Sequence, residues 1–309
     1  MNELRERFAP LREETPTDEE IAAVLAARRR PQRRGRLALG LVTATAAAAV
    51  AIAALPGAGE REASPLTPVG MLRAAAAVAA DQPGPPAFSG YRYTELIEQF
   101  RWTTRAGGTP DEVRQRLENW VDRSWKGHVI AHPGTAISGQ PPDHWLKRDE
   151  RPYAYGDGPL LDLDISALPT EPRALRRALE TDFLREFDPG YEPNDDALAY
   201  HVTRSVLLLL STANTTPSLR AALWGVLALT PDLDASEARD PRGREGDAVT
   251  FALTRMPDGP AERFTVIFDP ETSELLSWSI DGEANGLGTP DQSTVLLRAA
   301  HVRAIGERP

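Results

Sequence analysis

Leu37 to Leu55 lies in the longest uncharged run of this 309-residue chain, and Arg28, Arg29, Arg30, Arg33, Arg34 and Arg36 crowd its N-terminal side. As a helix rising about 1.5 Å per residue it would be about 28 Å long, close to the roughly 30 Å hydrocarbon core of a bilayer. Basic residues stay on the cytoplasmic side, so residues 1–36 are expected inside and everything from about Pro56 onward outside. Nine of the nineteen residues are alanine, which is nearly neutral toward insertion. The seven strongly apolar ones, such as Leu37, Leu41 and Ile52, contribute about 2 to 4 kcal/mol together. The span is therefore marginal in hydrophobicity. Its competitor is a cleaved signal with Arg33-Arg34 as a loose twin-arginine pair and Ala51 or Ala53 near the cut; a 36-residue leader argues against that.

The rest of the composition narrows the partners. Residues 57–309 carry 26 Lys and Arg against 38 Asp and Glu, so the outer part is acidic and repels phosphate backbones. No nucleic-acid partner is expected. The chain has no cysteine, which excludes disulfides, thiolate metal sites, a cysteine nucleophile and a lipidated cysteine after the apolar run. Arginines number 33 and lysines two, Lys126 and Lys147, a bias typical of a high-GC bacterial genome.

Four segments follow from this. Residues 1–36 form a cytoplasmic tail, in which Thr17 and Glu20 make a capping box for a helix from Asp18 to about Arg30. Residues 37–55 span the membrane, and 56–66 mix Pro, Gly, Ala and charge as a tether. Residues 67–309 form the outer domain. There the spacing predicts a helix over 69–80, then a β-rich stretch. Ser89–Trp102 and Arg116–Ile130 are dense in aromatic and β-branched residues, and His144–Tyr155 is a further strand candidate. Three helices follow, over 171–187, 196–211 and 218–229, sharing one core. Residues 248–253, 263–268 and 274–280 read as strands, with Asp269-Pro270-Glu271-Thr272 as the turn between the last two. Ser293–Ile305 reads as a short strand or helix.

Chemistry is sparse. His128 and His132 stand four apart, but Gly127, Pro133 and the intervening Val129-Ile130 favour a strand. Residues four apart then lie about 13 Å from each other and do not chelate one ion. His144, His201 and His301 are isolated and read as surface or hydrogen-bonded side chains. Neither Ser89 nor Ser138 sits in a strand-turn-helix nucleophile elbow. The acidic stretches Asp157, Asp162, Asp164 and Asp188, Asn194, Asp195, Asp196 lack the order of a calcium loop. No phosphate-cradling glycine motif occurs. Trp102, Trp120, Trp125 and Trp145 read as core, with a ligand cavity as the alternative. No catalytic, cofactor-binding or metal residue is expected, no cofactor is called for, and the ligand-binding residues stay unknown.

Several motifs carry a resemblance. Leu168-Pro169-Thr170-Glu171-Pro172, Thr216-Pro217-Ser218-Leu219-Arg220-Ala221-Ala222-Leu223, Leu227-Ala228-Leu229-Thr230-Pro231, Asp240-Pro241-Arg242-Gly243-Arg244-Glu245-Gly246 and Phe268-Asp269-Pro270-Glu271-Thr272 stand in residues 160–280. With them the chain resembles an uncharacterised family of single-pass membrane proteins from high-GC Gram-positive bacteria. Its order of elements is also similar to the half-barrel of the lipoprotein carrier LolA and the sigma-factor regulator RseB. That resemblance implies an α+β fold: a curved antiparallel sheet covered by helices over an apolar groove, preceded by one transmembrane helix. It implies a lipid or lipopeptide ligand, or a sensor acting on a cytoplasmic partner. The zinc-type anti-sigma tail pattern is absent, since residues 1–36 contain neither His nor Cys.

The expected function is a non-enzymatic, single-pass protein of the cell membrane whose extracellular domain binds a hydrophobic or protein ligand. The alternative is an anti-sigma-like regulator that engages a cytoplasmic sigma factor through its tail; an extracytoplasmic hydrolase ranks third.

Overall fold

The helix expected over 69–80 is the first among the described residues and opens on Thr67 and Pro68: the Thr67 hydroxyl accepts from Gly70 N at 3.1 Å, and proline fills the first helical position, where no N–H is needed. The computed structural model describes residues 67–86, 90–102, 111–139, 143–152, 164–185, 193–255, 259–282 and 291–309. The expected tail helix, apolar span and tether lie outside the described residues. Among those described, no helix is long and apolar enough to cross a membrane.

Helix α1 (Pro68–Asp81) precedes strands β1 (Tyr91–Trp102), β2 (Asp111–Val121), β3 (Gly127–Ala131), β4 (Thr135–Ser138) and β5 (Asp149–Pro152). Helices α2 (Pro172–Leu184), α3 (Asp195–Thr212) and α4 (Pro217–Leu227) follow. Strands β6 (Asp234–Arg239), β7 (Glu245–Thr254), β8 (Ala261–Phe268), β9 (Leu275–Gly282) and β10 (Asp291–Val302) complete the order. The fold is α+β: one open antiparallel sheet, ordered β5-β3-β2-β1-β10-β9-β8-β7-β6 with β4 beside β2, and helices packed on one side.

The sheet is two meanders joined along β1 and β10. Those strands are twelve residues each and pair from Tyr91↔Val302 to Arg101↔Asp291. All three central helices lie in the crossover between the meanders. They share one core with α1 and β7–β9, in which Leu175, Leu207, Leu223, Val249, Phe264 and Val266 are buried. Pro172 opens α2 and packs against Gly225 of α4, where a Cβ would stand 2.5 Å from the proline Cγ. That contact gives the Thr170-Glu171-Pro172 motif a packing role. Tyr200 of α3 ties helix to sheet through a 2.6 Å hydrogen bond to Glu262 of β8.

Three expectations are made more specific. Residues 116–130 are not one strand: Asp122 breaks them into a hairpin, accepting from Ser124 N and Lys126 N, and Trp125 takes a left-handed φ of 61° that carries it into the core. Within residues 144–155 the described part is a 3-10 turn over Asp143–Leu146 followed by the short strand β5, with 153–155 outside the described residues. Of the two alternatives for residues 293–305, the strand holds up to Val302: these residues belong to the long β10, placed at the centre of the sheet.

The remaining motifs are caps and turns. Asp240 accepts from Arg242 N and Arg244 N, and Gly243 follows the turn with a φ of +81°. Strand β10 carries a bulge opposite Glu95 and Leu96, and it pairs with β9 only over Gln292–Val295. Where the two strands part, Arg244 fills the gap: Nη2 donates to Leu276 O at 3.0 Å and Leu296 O at 2.7 Å, and Nε to Asp240 at 2.7 Å. One guanidinium thus replaces ladder hydrogen bonds that the bulge removes.

Candidate anion-binding pocket

Alternation along β1 puts Arg92, Thr94, Leu96, Glu98 and Phe100 on the helix side of the sheet, level with Val121 to Val113 of β2. Arg92 stands at the start of β1 beside His301 at the end of β10. Helix α4 brings Arg220 to the same place because 220 lies three, four and seven residues before Leu223, Trp224 and Leu227, all buried. The turn between β8 and β9 adds Thr272 and Glu274, and the C-terminal end of α1 adds Ala79 and Gln82. These elements line an open pocket of about 250 Å³.

Both arginines are deeply buried, Arg92 at 6% and Arg220 at 8% exposure. Nε and Nη2 of Arg92 are buried without a hydrogen-bond partner. Burial, and then the neighbouring Arg220, lowers the Arg92 guanidinium to about 9, with exposed Glu274 pulling the other way. Arg220 is lowered by burial, again against the attraction of Glu274. Both remain charged at neutral pH. His301 is lowered to about 4 by burial and by Arg92, Arg220 and Arg123, so it is a neutral ring there. Buried ions are ordinarily paired. Here two like charges share a pocket, and the one acid lining it stands at the exposed edge.

The turn carrying Glu274 is itself anchored. Asp269 accepts from Glu271 N and Thr272 N, Ser273 takes a left-handed φ of 55°, and its carbonyl accepts from Trp224 Nε1 at 3.2 Å. Trp224 is fully buried and packs on Phe268 with ring centroids 4.9 Å apart. Helix α4 therefore fixes two walls of the pocket at once.

A second polar cluster, on the opposite face, makes the contrast plain. Glu118 is 1% exposed, with His132 Nε2 2.6 Å from Oε1, and it accepts from Tyr93 Oη at 3.2 Å and from Arg308. Trp120 donates to Glu307 O at 2.8 Å, under the Arg308 guanidinium. Burial raises the Glu118 carboxyl, but the hydrogen bonds from His132 and Arg308 outweigh it and hold the group at about 2. This cluster is satisfied and fastens the C-terminal residues to the sheet.

The other candidates fall elsewhere. His128 lies 3.1 Å from Glu150 and His132 meets Glu118, so the two imidazoles serve separate carboxylates. His201 stacks on Phe183 at 3.9 Å. His144 neighbours Trp145, which packs on Phe100 at 4.9 Å. Trp120 and Trp125 belong to opposite faces of the sheet. Asp164 caps a short 3-10 turn and Asn194 caps α3. Asp157, Asp162, Asp188 and Ser89 lie outside the described residues, as does the side chain of Trp102. Ser138 ends β4. Of the five histidines, His301 lines the pocket, which its isolation in sequence did not suggest. Arg92 and Arg220 were missed altogether; an arginine inside the apolar stripe of α4 was the available signal.

The helix side of β1, β2 and β10 bears on the expected apolar groove. Thr94, Glu98, Gln115, Asn119, Gln292 and Thr294 are all buried there. They are interspersed with the buried apolar residues Leu96, Val113, Val121 and Leu296 of the same face, and Asn119 bonds to Thr94 and Gln292 to Arg204 of α3.

Titration of the buried groups gives a two-stage acid limb. His201 and His301 sit near 4 in the fold against 6.5 unfolded, so the unfolded chain binds more protons between those values and stability falls as pH drops from about 6.5 to 4. Glu118 at about 2 contributes stability above its unfolded value of 4.5 that is lost between 4.5 and 2. Thermal unfolding followed by circular dichroism across this range should show both stages. His201→Gln and His301→Gln should each shallow the first, and Glu118→Gln the second; a profile flat down to pH 4.5 contradicts the assignment.

No family model and no curated protein matches the chain. Among solved structures, the crystal structure of a DUF1329 family protein from Desulfovibrio piger is similar over 76% of this chain and 93% of that one, at 8% identity and a TM-score of 0.20. A likeness at that level carries neither fold family nor function. The class rests on the chain's own geometry: an open antiparallel α+β domain with a buried cationic pocket.

Proposed function

We propose that this is a non-enzymatic binding protein of the cell envelope, held by Leu37–Leu55 with residues 1–36 in the cytoplasm and the α+β domain outside. Membership of the uncharacterised single-pass family, and a half-barrel of the LolA and RseB kind, belong to this reading. The ligand is taken up where α1, α4 and the β1–β10 seam meet. One observation carries the reading: Arg92 and Arg220 are buried together around a pocket with no hydrogen-bonded acid between them. The polar side chains buried among apolar ones on the helix side of the sheet, Thr94, Glu98, Gln115 and Asn119, suit a ligand that carries a polar group.

Native mass spectrometry of the full chain extracted from membranes tests the reading. A retained ligand mass is expected, and it should be lost in Thr215→Trp, which fills the pocket. Retention of nothing, or equal retention by both proteins, contradicts it.

A second reading, an anti-sigma-like regulator, has one observation in its favour. Ala79 and Gln82 line the pocket from α1, the first helix after the tether. Ligand held there is one helix away from the segment leading to the membrane. Crosslinking of the full chain in cells should then recover a sigma factor on residues 1–36; a tail that crosslinks to no such protein removes this version.

A further inference from the structure

Resting on the pocket reading above, we propose that the ligand presents an oxyanion, a carboxylate or phosphate group, clamped between Arg92 and Arg220 at the N-terminal end of α4.

The donor pattern of Arg92 points to that chemistry. Nε and Nη2 are the two donors along one edge of the guanidinium, and both lack an acceptor. That edge is the fork that grips two oxygens of a carboxylate or phosphate in parallel hydrogen bonds. Arg220 faces the pocket from the other wall, on α4, so an oxyanion between the two meets positive charge from the sheet and from the helix layer. Two further features suit an anion. Thr215 lines the pocket, and its Oγ1 is buried without a partner. The eleven-residue helix α4 starts at Pro217 in the pocket wall, so the positive end of its dipole favours negative charge there.

The fold keeps this pair at a cost. Apolar residues of the same size are commonly as good as, or better than, buried ions for stability. Two adjacent guanidiniums without a bonded acid are the less favourable form of that arrangement, and an oxyanion would relieve both the burial and the mutual repulsion. The Glu118 cluster shows the same chain satisfying a buried charge fully where no ligand is called for. At about 250 Å³ the pocket is smaller than the roughly 300 to 1,000 Å³ of drug-sized sites, so it suits a head group.

Free phosphate, a carboxylate metabolite and a lipid phosphate share this chemistry, and one experiment separates them. The full chain is reconstituted in phosphatidylcholine nanodiscs and its thermal unfolding followed against inorganic phosphate and sodium acetate, with chloride at matched ionic strength. A parallel arm replaces part of the phosphatidylcholine with phosphatidylglycerol. Binding to the folded state alone raises Tm with the logarithm of ligand concentration, by roughly 5 °C or more at a hundredfold excess over Kd. A rise with free phosphate or acetate assigns a soluble ligand, and a rise with phosphatidylglycerol alone assigns a lipid head group. Arg92→Met and Arg220→Met should each abolish the rise, while Arg308→Met on the opposite face keeps it. No rise in any arm over chloride, or a rise surviving in both pocket variants, overturns the proposal. If native mass spectrometry meanwhile finds a neutral ligand lost in Thr215→Trp, the pocket stands and only the oxyanion fails.

Discussion

Replacing Trp224 by alanine is expected to lower stability by about 3 to 5 kcal/mol, the usual cost of removing a fully buried large aromatic side chain. The ring is closed off from water, packs on Phe268 and donates its indole N–H to Ser273 O. Its loss opens a cavity between α4 and the sheet and leaves the Ser273 carbonyl unpaired inside the protein. Against a typical stability of about 5 to 15 kcal/mol, that is a large fraction. Trp224→Phe separates the contributions: it keeps most of the packing and removes the hydrogen bond, so about 1 to 2 kcal/mol is expected. Equilibrium urea unfolding reads both. The variant should also loosen the turn that carries Thr272 and Glu274, seen as faster amide exchange at residues 270–275 than in Trp224→Phe. Equal stability of the alanine variant and the parent would mean that α4 does not anchor that turn.

Arg244→Ala is the second large effect, at about 3 kcal/mol. Hydrogen bonds from a charged donor are worth about 1.5 to 3 kcal/mol each, and the change leaves Leu276 O, Leu296 O and a buried Asp240 carboxylate without their cation. Partial compensation comes from the backbone donors that Asp240 keeps, Arg242 N and Arg244 N. Lysine should restore less than half, because a single ammonium does not present the guanidinium's spread of donors. Hydrogen exchange localises the damage: protection should fall first at the β9–β10 border. Uniform loss across the sheet would contradict the bridging role.

The helices and turns were legible because their signals are local. Thr216-Pro217 and Glu171-Pro172 mark helix starts by capping and proline chemistry, and Asp269-Pro270 marks a turn, all within four residues of the structure they make. Strand β10 was not, since its Ala299-Ala300-His301 stretch has no strong preference of its own and becomes a strand by pairing with β1 some two hundred residues earlier. The pocket was invisible for a related reason. Its walls come from residues 79–85, 92, 215–220, 272–274 and 301, which only the β1–β10 seam and the α1–α4 contact bring together. Within the chain, Arg92 looks like the polar member of an alternating strand and Arg220 like one more arginine on a helix. Burial turns them into a site.

That burial is the central claim, and one measurement addresses it without any ligand being named. The thermal midpoint of Arg92→Met is compared with that of the parent chain in phosphate-free buffer of low carboxylate content. If Arg92 is held unpaired beside Arg220 for a ligand, methionine relieves desolvation and repulsion and the midpoint rises by a few degrees. A fall of several degrees would show Arg92 paired within the fold, and the pocket would then be a structural joint.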